Sequence, residues 1–593
     1  MEKYLLRVNL TNGSCKEELI PREVLGDFIG GKGLSAYYAY KELNAGIDPL
    51  GPENKVMFFI GPLTGVLNVY SRHVIAAKSP QTSTFSDSYA GGWFGAELAR
   101  TGYMGIIIEG KAANLAYLKI DGKKVSIEDA RDFTGKTPYE VDAAFEDFRV
   151  AAIGPAGERL VRFACVINDA YKRGRAGVAG RGGIGAVMGS KNLKAVVVRE
   201  TLSPDEFIPK KHKAEVEELR KTFLQYLKTD IAPGIGLGGN LPTMQLAADA
   251  KVLPVRNFRE GCIEDYEKVA EQAFREVTIA KSTCYLCPIA CGVHIKPKSG
   301  PFAGLDLDRI EYETVALNGP NCKQLDISTI AKVGRLCNEY GMDTISVGNI
   351  TGFVMECSER GLIDYRLDYG DSEGQIKLVD LIGQRKGIGD ILAEGLFSAA
   401  EKLNLQKHAV QVKGLEIPGY DVRGPVGMAL AYATADRGGD HLRAWTIVAE
   451  ANELFSIVGK AKLNKDLQDR NSALWCLIGC DNIPANTIGD PARFVELSIA
   501  GLNTLEWEMD KETFLETGER IYNVTRMFNV REGFSRNDDQ LPPRFEEPRE
   551  DTGWKIAHAD FNKMLDEYYA IRGWDREGMP KLGTLERLGI DKW

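Results

Sequence analysis

The chain has 593 residues, more than one hydrophobic core usually organises, so about two to four domains are expected. Its composition is 44% hydrophobic and 26% charged with a net charge of -9, which is ordinary for a globular protein and argues against nucleic acid as the main partner. No apolar run reaches the roughly 18 residues of a membrane span, and eleven cysteines without a secretory signal fit a reducing, cytoplasmic setting where thiols serve metals rather than disulfides.

From Met1-Glu2-Lys3 the chain leads straight into an alternating, strand-like segment. Up to about residue 205 it is rich in glycine and in short β-branched runs: Lys55 to Ile60, His73 to Ala77, Gly105 to Ile108, Tyr117 to Ile120, Val150 to Ile153, Arg162 to Ile167 and Leu193 to Val198. Three glycine-rich segments interrupt these runs: Ile29 to Leu34, Tyr89 to Gly95 and Gly174 to Gly185. Glycine lets successive backbone amides close around phosphate or ring heteroatoms. None of the three ends in the Gly-Lys-Ser/Thr of a nucleotide P-loop. Three such segments with Arg72, Arg175 and Arg181 nearby in sequence favour a multiply phosphorylated or anionic cofactor.

Beyond residue 205 the apolar residues recur every three to four positions over Asp205 to Tyr226, Asp326 to Tyr340, Thr351 to Arg360, Gly387 to Lys402 and Ala461 to Ile478, which predicts helices. Gly414, Pro418, Gly419, Gly424 and Pro425 suggest a division there. The chain is therefore read as α+β, with a β-rich unit over 1–205 and mainly helical units over 206–413 and 414–593.

Within the helical part, Cys284, Cys287 and Cys291 lie three and four residues apart, a spacing that aims several sulfurs at one inorganic centre. A fourth ligand must come from elsewhere, and Cys476 and Cys480 are the only other cysteines close together. Zinc suits four thiolates as well as iron does. Glu313 leads into an apolar stretch, and His441 sits in Asp436-Arg437-Gly438-Gly439-Asp440-His441, where an imidazole would move protons near neutral pH. There is no His-Glu-x-x-His signature, so a hydrolytic zinc site is unsupported.

Over nearly its whole length the chain resembles the tungsten-dependent aldehyde ferredoxin oxidoreductase family. The segments that carry the resemblance include Gly61-Pro62-Leu63-Thr64-Gly65, Asp87-Ser88-Tyr89-Ala90-Gly91-Gly92, Ala179 to Ala195, Leu253-Pro254-Val255-Arg256-Asn257-Phe258 and Val412-Lys413-Gly414-Leu415-Glu416. The resemblance implies an amino-terminal β-rich domain over one face of a tungsten bis-pterin cofactor, two helical domains over the other, and one four-iron four-sulfur cluster. It favours iron over zinc and does not separate tungsten from molybdenum.

By the same resemblance Cys284, Cys287, Cys291 and Cys476 would hold the cluster, and Arg72 would bridge cluster and pterin. Tyr89, Ala90, Gly91, Gly92, Val178, Ala179, Gly180, Arg181 and Gly182 would meet the pterin phosphates, which a magnesium ion joins; Lys413 falls in another matching segment and is placed at the cofactor too. The family's paired pterin motifs read Asn338 to Asp343 and Asn471 to Cys476, each with asparagine where the family has aspartate; the amide offers hydrogen bonds without charge. Glu313 and His441 match the family's acid and imidazole beside the metal, and Cys322 would approach it in branches that reduce aromatic acyl-CoA rings. The expected reaction interconverts an aldehyde and its carboxylic acid, with electrons leaving to ferredoxin or an iron–sulfur subunit. The family's dimer-bridging glutamate and histidine are absent, so a homodimer needs another basis.

Overall fold

The computed structural model describes residues 2–593 except 171–175, 200–201, 203–205, 207, 236–237, 451–452 and 486–490. Gly174 and Arg175, and the start of the helix expected from Asp205, fall outside the described residues.

The amino-terminal third forms two six-stranded sheets. The first contains β1 (Tyr4–Asn9), β2 (Ser14–Leu19), β3 (Val56–Phe59), β4 (His73–Lys78), β5 (Phe85–Ala90) and β6 (Tyr103–Glu109), in the order β2-β1-β6-β3-β4-β5. The second contains β7 (Ala116–Asp121), β8 (Lys124–Asp129), β9 (Arg149–Ile153), β10 (Val166–Asn168), β11 (Gly177–Ala179) and β12 (Leu193–Arg199), in the order β11-β10-β9-β12-β7-β8. Only β1–β6 and β7–β12 pair in parallel. Each sheet thus ends in a strand followed by a glycine segment, β5 in one and β11 in the other, and these two ends meet. Asn168 Nδ2 donates to Gly91 O at 2.9 Å and the Arg181 amide to Ser88 Oγ at 3.2 Å.

Strands β3 and β4 are buried at every position because helices cover the faces that a half-exposed sheet would leave wet. The first glycine segment is one of these helices: Gly31–Glu42 packs so closely that a Cβ on Gly31 would lie 2.3 Å from Trp475 O and one on Gly33 2.0 Å from Phe28 O. The glycines of the Ile29 to Leu34 segment thus permit close backbone packing at the start of this helix.

The helices expected beyond residue 205 are present over Lys213–Tyr226, Ile327–Tyr340, Thr344–Glu359 and Lys460–Cys476. The one expected over Gly387 to Lys402 is split at Gly395, whose φ of +88° ends one helix and starts Leu396–Leu403. The strand expected from Arg162 begins only at Val166, after a turn through Leu160 at φ +57°. Further helices, Pro491–Thr504, Lys511–Arg531 and His558–Arg572, complete the carboxy-terminal part.

The pterin-motif segment Asn338 to Asp343 is a corner between two of these helices. Gly341, at φ +74°, terminates Ile327–Tyr340, and the Asp343 carboxylate caps Thr344–Glu359 by accepting from the Ile345 and Ser346 amides. Apolar cores do not follow chain order. Val410, Val412, Ile417, Tyr420 and Val422 share one core with residues of both helical segments, so the glycines around 414–424 bend the chain inside a core.

Candidate functional site

Where β5 and β11 converge, a cavity of about 250 Å³ opens, closed on its far side by the helical part. Arg72, Tyr89, Val178, Gly180 and Arg181 line it from the sheets; Glu313, Asn338, Asp343, Arg437 and His441 line it from the helices and their connections. Tyr89 of the second glycine segment and Ala176, Val178, Gly180 and Arg181 of the third thus line the same space.

The sheet side of this cavity is fixed from behind. Gly182, at φ +85°, presses on Ser86, whose Oγ would be 1.9 Å from a Cβ there, and Ser79 Oγ donates to Gly182 O at 2.9 Å. Arg181 is buried and donates to Gly439 O at 2.7 Å and Glu416 O at 2.5 Å, with Asp343 at 3.4 Å. Together with Arg72 and Arg437 it gives the wall cationic character suited to phosphate.

Glu313 and His441 face each other across the cavity, with Glu313 Oε1 3.7 Å from His441 Nε2. That is too long for a hydrogen bond, and a substrate oxygen or a water lying beside the pair could contact both atoms. Glu313 Oε2 accepts from the Gly419 amide at 2.7 Å, while among the described residues nothing donates to its Oε1. Burial pushes the carboxyl up to about 8, against the opposing pull of the Gly419 amide and Arg181. Burial likewise pushes His441 down to about 4, although Asp440 pulls it up. The close pair is therefore a neutral or singly ionised one near pH 7, not a salt bridge.

The cysteines fall into a group that differs from expectation. Cys287 is pushed up to about 12 by burial and then by Cys284, Cys480 and Cys291; Cys480 is pushed up to about 12 by burial and by Asp481, Cys291 and Cys284. Arg72 joins them, with Nη2 3.7 Å from Cys480 Sγ and 2.7 Å from Asp481. Cys476 lies elsewhere: its thiol, in the last turn of Lys460–Cys476, donates to Ser472 O at 3.1 Å, and the groups that act on it are Gly33 and Lys32. The structure thus groups Cys480, and not Cys476, with the three loop cysteines and Arg72. The chain reverses through Ile478, at φ +58°, and the Cys480 amide then donates to Val69 O at 3.1 Å, carrying Cys480 to Arg72. Among the described residues no three His, Cys, Asp or Glu side chains close on a single point.

Three more expectations are relocated. Lys413 does not line the cavity; its buried ammonium pairs with Asp539 at 2.7 Å. Asn471 lies beside it in a smaller pocket with Trp475 and Cys480, and its amide braces Leu442 O at 3.0 Å and Arg443 O at 3.2 Å. The Cys322 thiol turns into the core towards Leu317 O at 3.4 Å. Sequence reasoning also missed a buried lattice of Lys32, Asp87, Asp436, Arg437, Asp440 and Arg443, which joins β5 to the His441 segment. A lysine between two helix-start glycines was its one visible sign.

A two-layered glycine cradle, grouped thiols and a largely buried acid facing an imidazole are features suited to an oxidoreductase. The family model for the amino-terminal domain of aldehyde ferredoxin oxidoreductase matches residues 5–200, and the model for its domains 2 and 3 matches residues 218–590; the chain belongs to this family of tungsten enzymes. It is 35% identical to the tungsten-containing aldehyde ferredoxin oxidoreductase of Pyrococcus abyssi, over 99% of both chains. It is 32% identical to the WOR-like subunit of aliphatic sulfonate oxidoreductase of Pyrococcus furiosus, over 99% of this chain and 96% of the other. Among solved structures, the active site complex BamBC of benzoyl coenzyme A reductase with 1,5-dienoyl-CoA is similar at a TM-score of 0.83 and 25% identity, covering 100% of this chain and 98% of that one. Among the described residues no helix is long and apolar enough to cross a membrane.

Proposed function

We propose that the protein interconverts an aldehyde and its carboxylic acid in the cavity between Glu313 and His441 and passes the electrons to ferredoxin or an iron–sulfur subunit. The observation that carries this reading is the largely buried Glu313–His441 pair, each side chain 13% exposed, opening onto a cavity with Arg72, Arg181 and Arg437 on its walls. Tyr89 to Gly92 and Val178 to Gly182 would hold the pterin phosphates, with Asn338 and Asp343 at the helix corner opposite. With no cluster of acids available for a cation among the described residues, magnesium would be held chiefly by those phosphates. Cys284, Cys287, Cys291 and Cys480 would carry the four-iron four-sulfur cluster, with Arg72 between it and the cavity.

The bound tungsten pterin supplies the two-electron oxidation and the cluster relays single electrons. Oxidation of an aldehyde by water releases two electrons and two protons. An acid with both forms present near neutral pH suits the proton transfers, so Glu313 takes a proton as the new carbon–oxygen bond forms and returns it in the reverse direction. Neutral His441, held towards the same space, orients the carbonyl oxygen. An aromatic acyl-CoA substrate loses the support that Cys322 would have given it, because that thiol faces the core.

The test is Glu313→Gln in anaerobically prepared holoenzyme. Tungsten, pterin and iron contents should match wild type while aldehyde-dependent reduction of a viologen dye falls by about 10²-fold or more. Full turnover with intact cofactors would remove Glu313 from the proton path.

A further inference from the structure

We propose that Asn168 and Asp169, at the end of β10, are positioning residues that hold the Gly92 amide against the Cys284 sulfur and so set the midpoint potential of the cluster. The inference rests on the cluster reading above and adds to it a part of the chain that carries no ligand.

The geometry is a clamp. The Gly92 amide donates to Cys284 Sγ at 3.3 Å, and Gly92 O accepts from the Tyr285 amide at 3.1 Å, so this one residue is pinned on both sides to the cysteine loop. Trp93 adds a third tie, its indole N–H reaching Thr283 O at 3.2 Å. On the opposite side the segment is gripped by the second sheet. Asn168 Nδ2 donates to Gly91 O at 2.9 Å, and Asp169 Oδ2 accepts from the Trp93 amide at 2.7 Å and the Phe94 amide at 3.1 Å. Asn168 Nδ2 also lies 2.7 Å from Asp169 Oδ2 and aligns that carboxylate.

The fit leaves no slack. Gly92 has φ +120°, and a Cβ there would be 2.4 Å from Asp169 Oδ2 and 2.7 Å from Asn168 Nδ2. Asp169 itself sits at φ +53°, and both side chains are buried. Four hydrogen bonds, three of them buried, thus aim one amide at one sulfur. An amide that donates to a cluster sulfur stabilises the added negative charge of the reduced form, so weakening it lowers the potential.

Asn168→Ala removes the grip on Gly91 without changing any charge. In anaerobic holoenzyme its iron content should equal wild type, and a redox titration followed by the electron paramagnetic resonance of the reduced cluster should give a midpoint potential shifted to lower values. Asn168→Ser, too short to reach Gly91 O, should shift it the same way and serves where the alanine variant does not accumulate. The control is Asn192→Ala, which removes a side-chain bond to Ala112 O at 2.7 Å just before β12 and should leave the potential alone. A loaded cluster at wild-type potential in the Asn168 variants overturns the proposal, as does an equal shift in the Asn192 control. Wild-type protein without iron would sink the cofactor reading and this proposal with it.

Discussion

Glu313 owes its chemistry to position. The carboxyl is buried at the start of Tyr312–Asn318, is tied by one oxygen to the Gly419 amide, and is held up to about 8 by desolvation. Aldehyde oxidation that needs its ionised form should therefore rise with pH through about 8, and the reverse reduction, which needs the protonated form, should fall over the same range. Because His441 is held down to about 4, it stays neutral across that window, and kcat/KM against pH should show no inflection near the ordinary imidazole value of 6.5. Profiles for wild type and Glu313→Gln check both statements: the limb near 8 should vanish in the variant, and a limb near 6.5 in wild type would contradict a neutral imidazole. From the sequence these two residues stood out only as an acid ahead of an apolar stretch and a histidine among polar neighbours. Neither their 3.7 Å approach nor the burial behind their shifted titration has a local pattern, since Glu313 and His441 are joined by tertiary packing alone.

At the scale of elements, periodicity located most strands and the long helices, because alternation and 3.6-residue recurrence are local consequences of burying one face. It failed where a single backbone angle decides. Ile29 to Leu34 read as a glycine loop, yet Gly31–Glu42 is a helix whose first-turn glycines are required by the close approach of Trp475 O and Phe28 O. A single backbone angle also decides which later cysteine joins the three loop cysteines. Cys476 closes a helix and turns back on it, whereas the reversal at Ile478 sends Cys480 to Arg72 and the three loop cysteines. Cys480→Ser should accordingly lose cluster iron and its paramagnetic signal, while Cys476→Ser should keep both. Equal iron loss in the two variants, or loss in Cys476→Ser alone, would restore the pattern read from the sequence.

The molecule as a whole is held around its cavity by charge as well as by apolar packing. Lys32 from the first glycine segment contacts Asp87 on β5 at 2.9 Å and Asp436 beside the His441 segment at 2.6 Å, and Arg443 pairs with both acids while also facing Asp440 at 3.5 Å. Arg437 donates to Asp440 at 2.9 Å and to the backbone carbonyl of Asp87. Three cations thus balance three carboxylates in a buried site, linking segments about 400 residues apart in sequence. Arg443 and Lys32 hold Asp87 and Asp436 below the usual carboxylate range, and Arg437 and Arg443 do the same for Asp440. With folded values depressed, this contribution is complete above the unfolded value of 3.8 and is lost only as the pH falls below it. Lys32→Met leaves one carboxylate unbalanced and should lower unfolding free energy by about 3–5 kcal/mol near neutral pH. Adding Asp436→Asn restores neutrality and should recover part of that loss, because the two sites share one network. Denaturant midpoints of the single and double variants decide the matter: a Lys32→Met protein as stable as wild type, or a double variant weaker than the sum of its parts, would show that the lattice does not hold the sheet to the His441 segment.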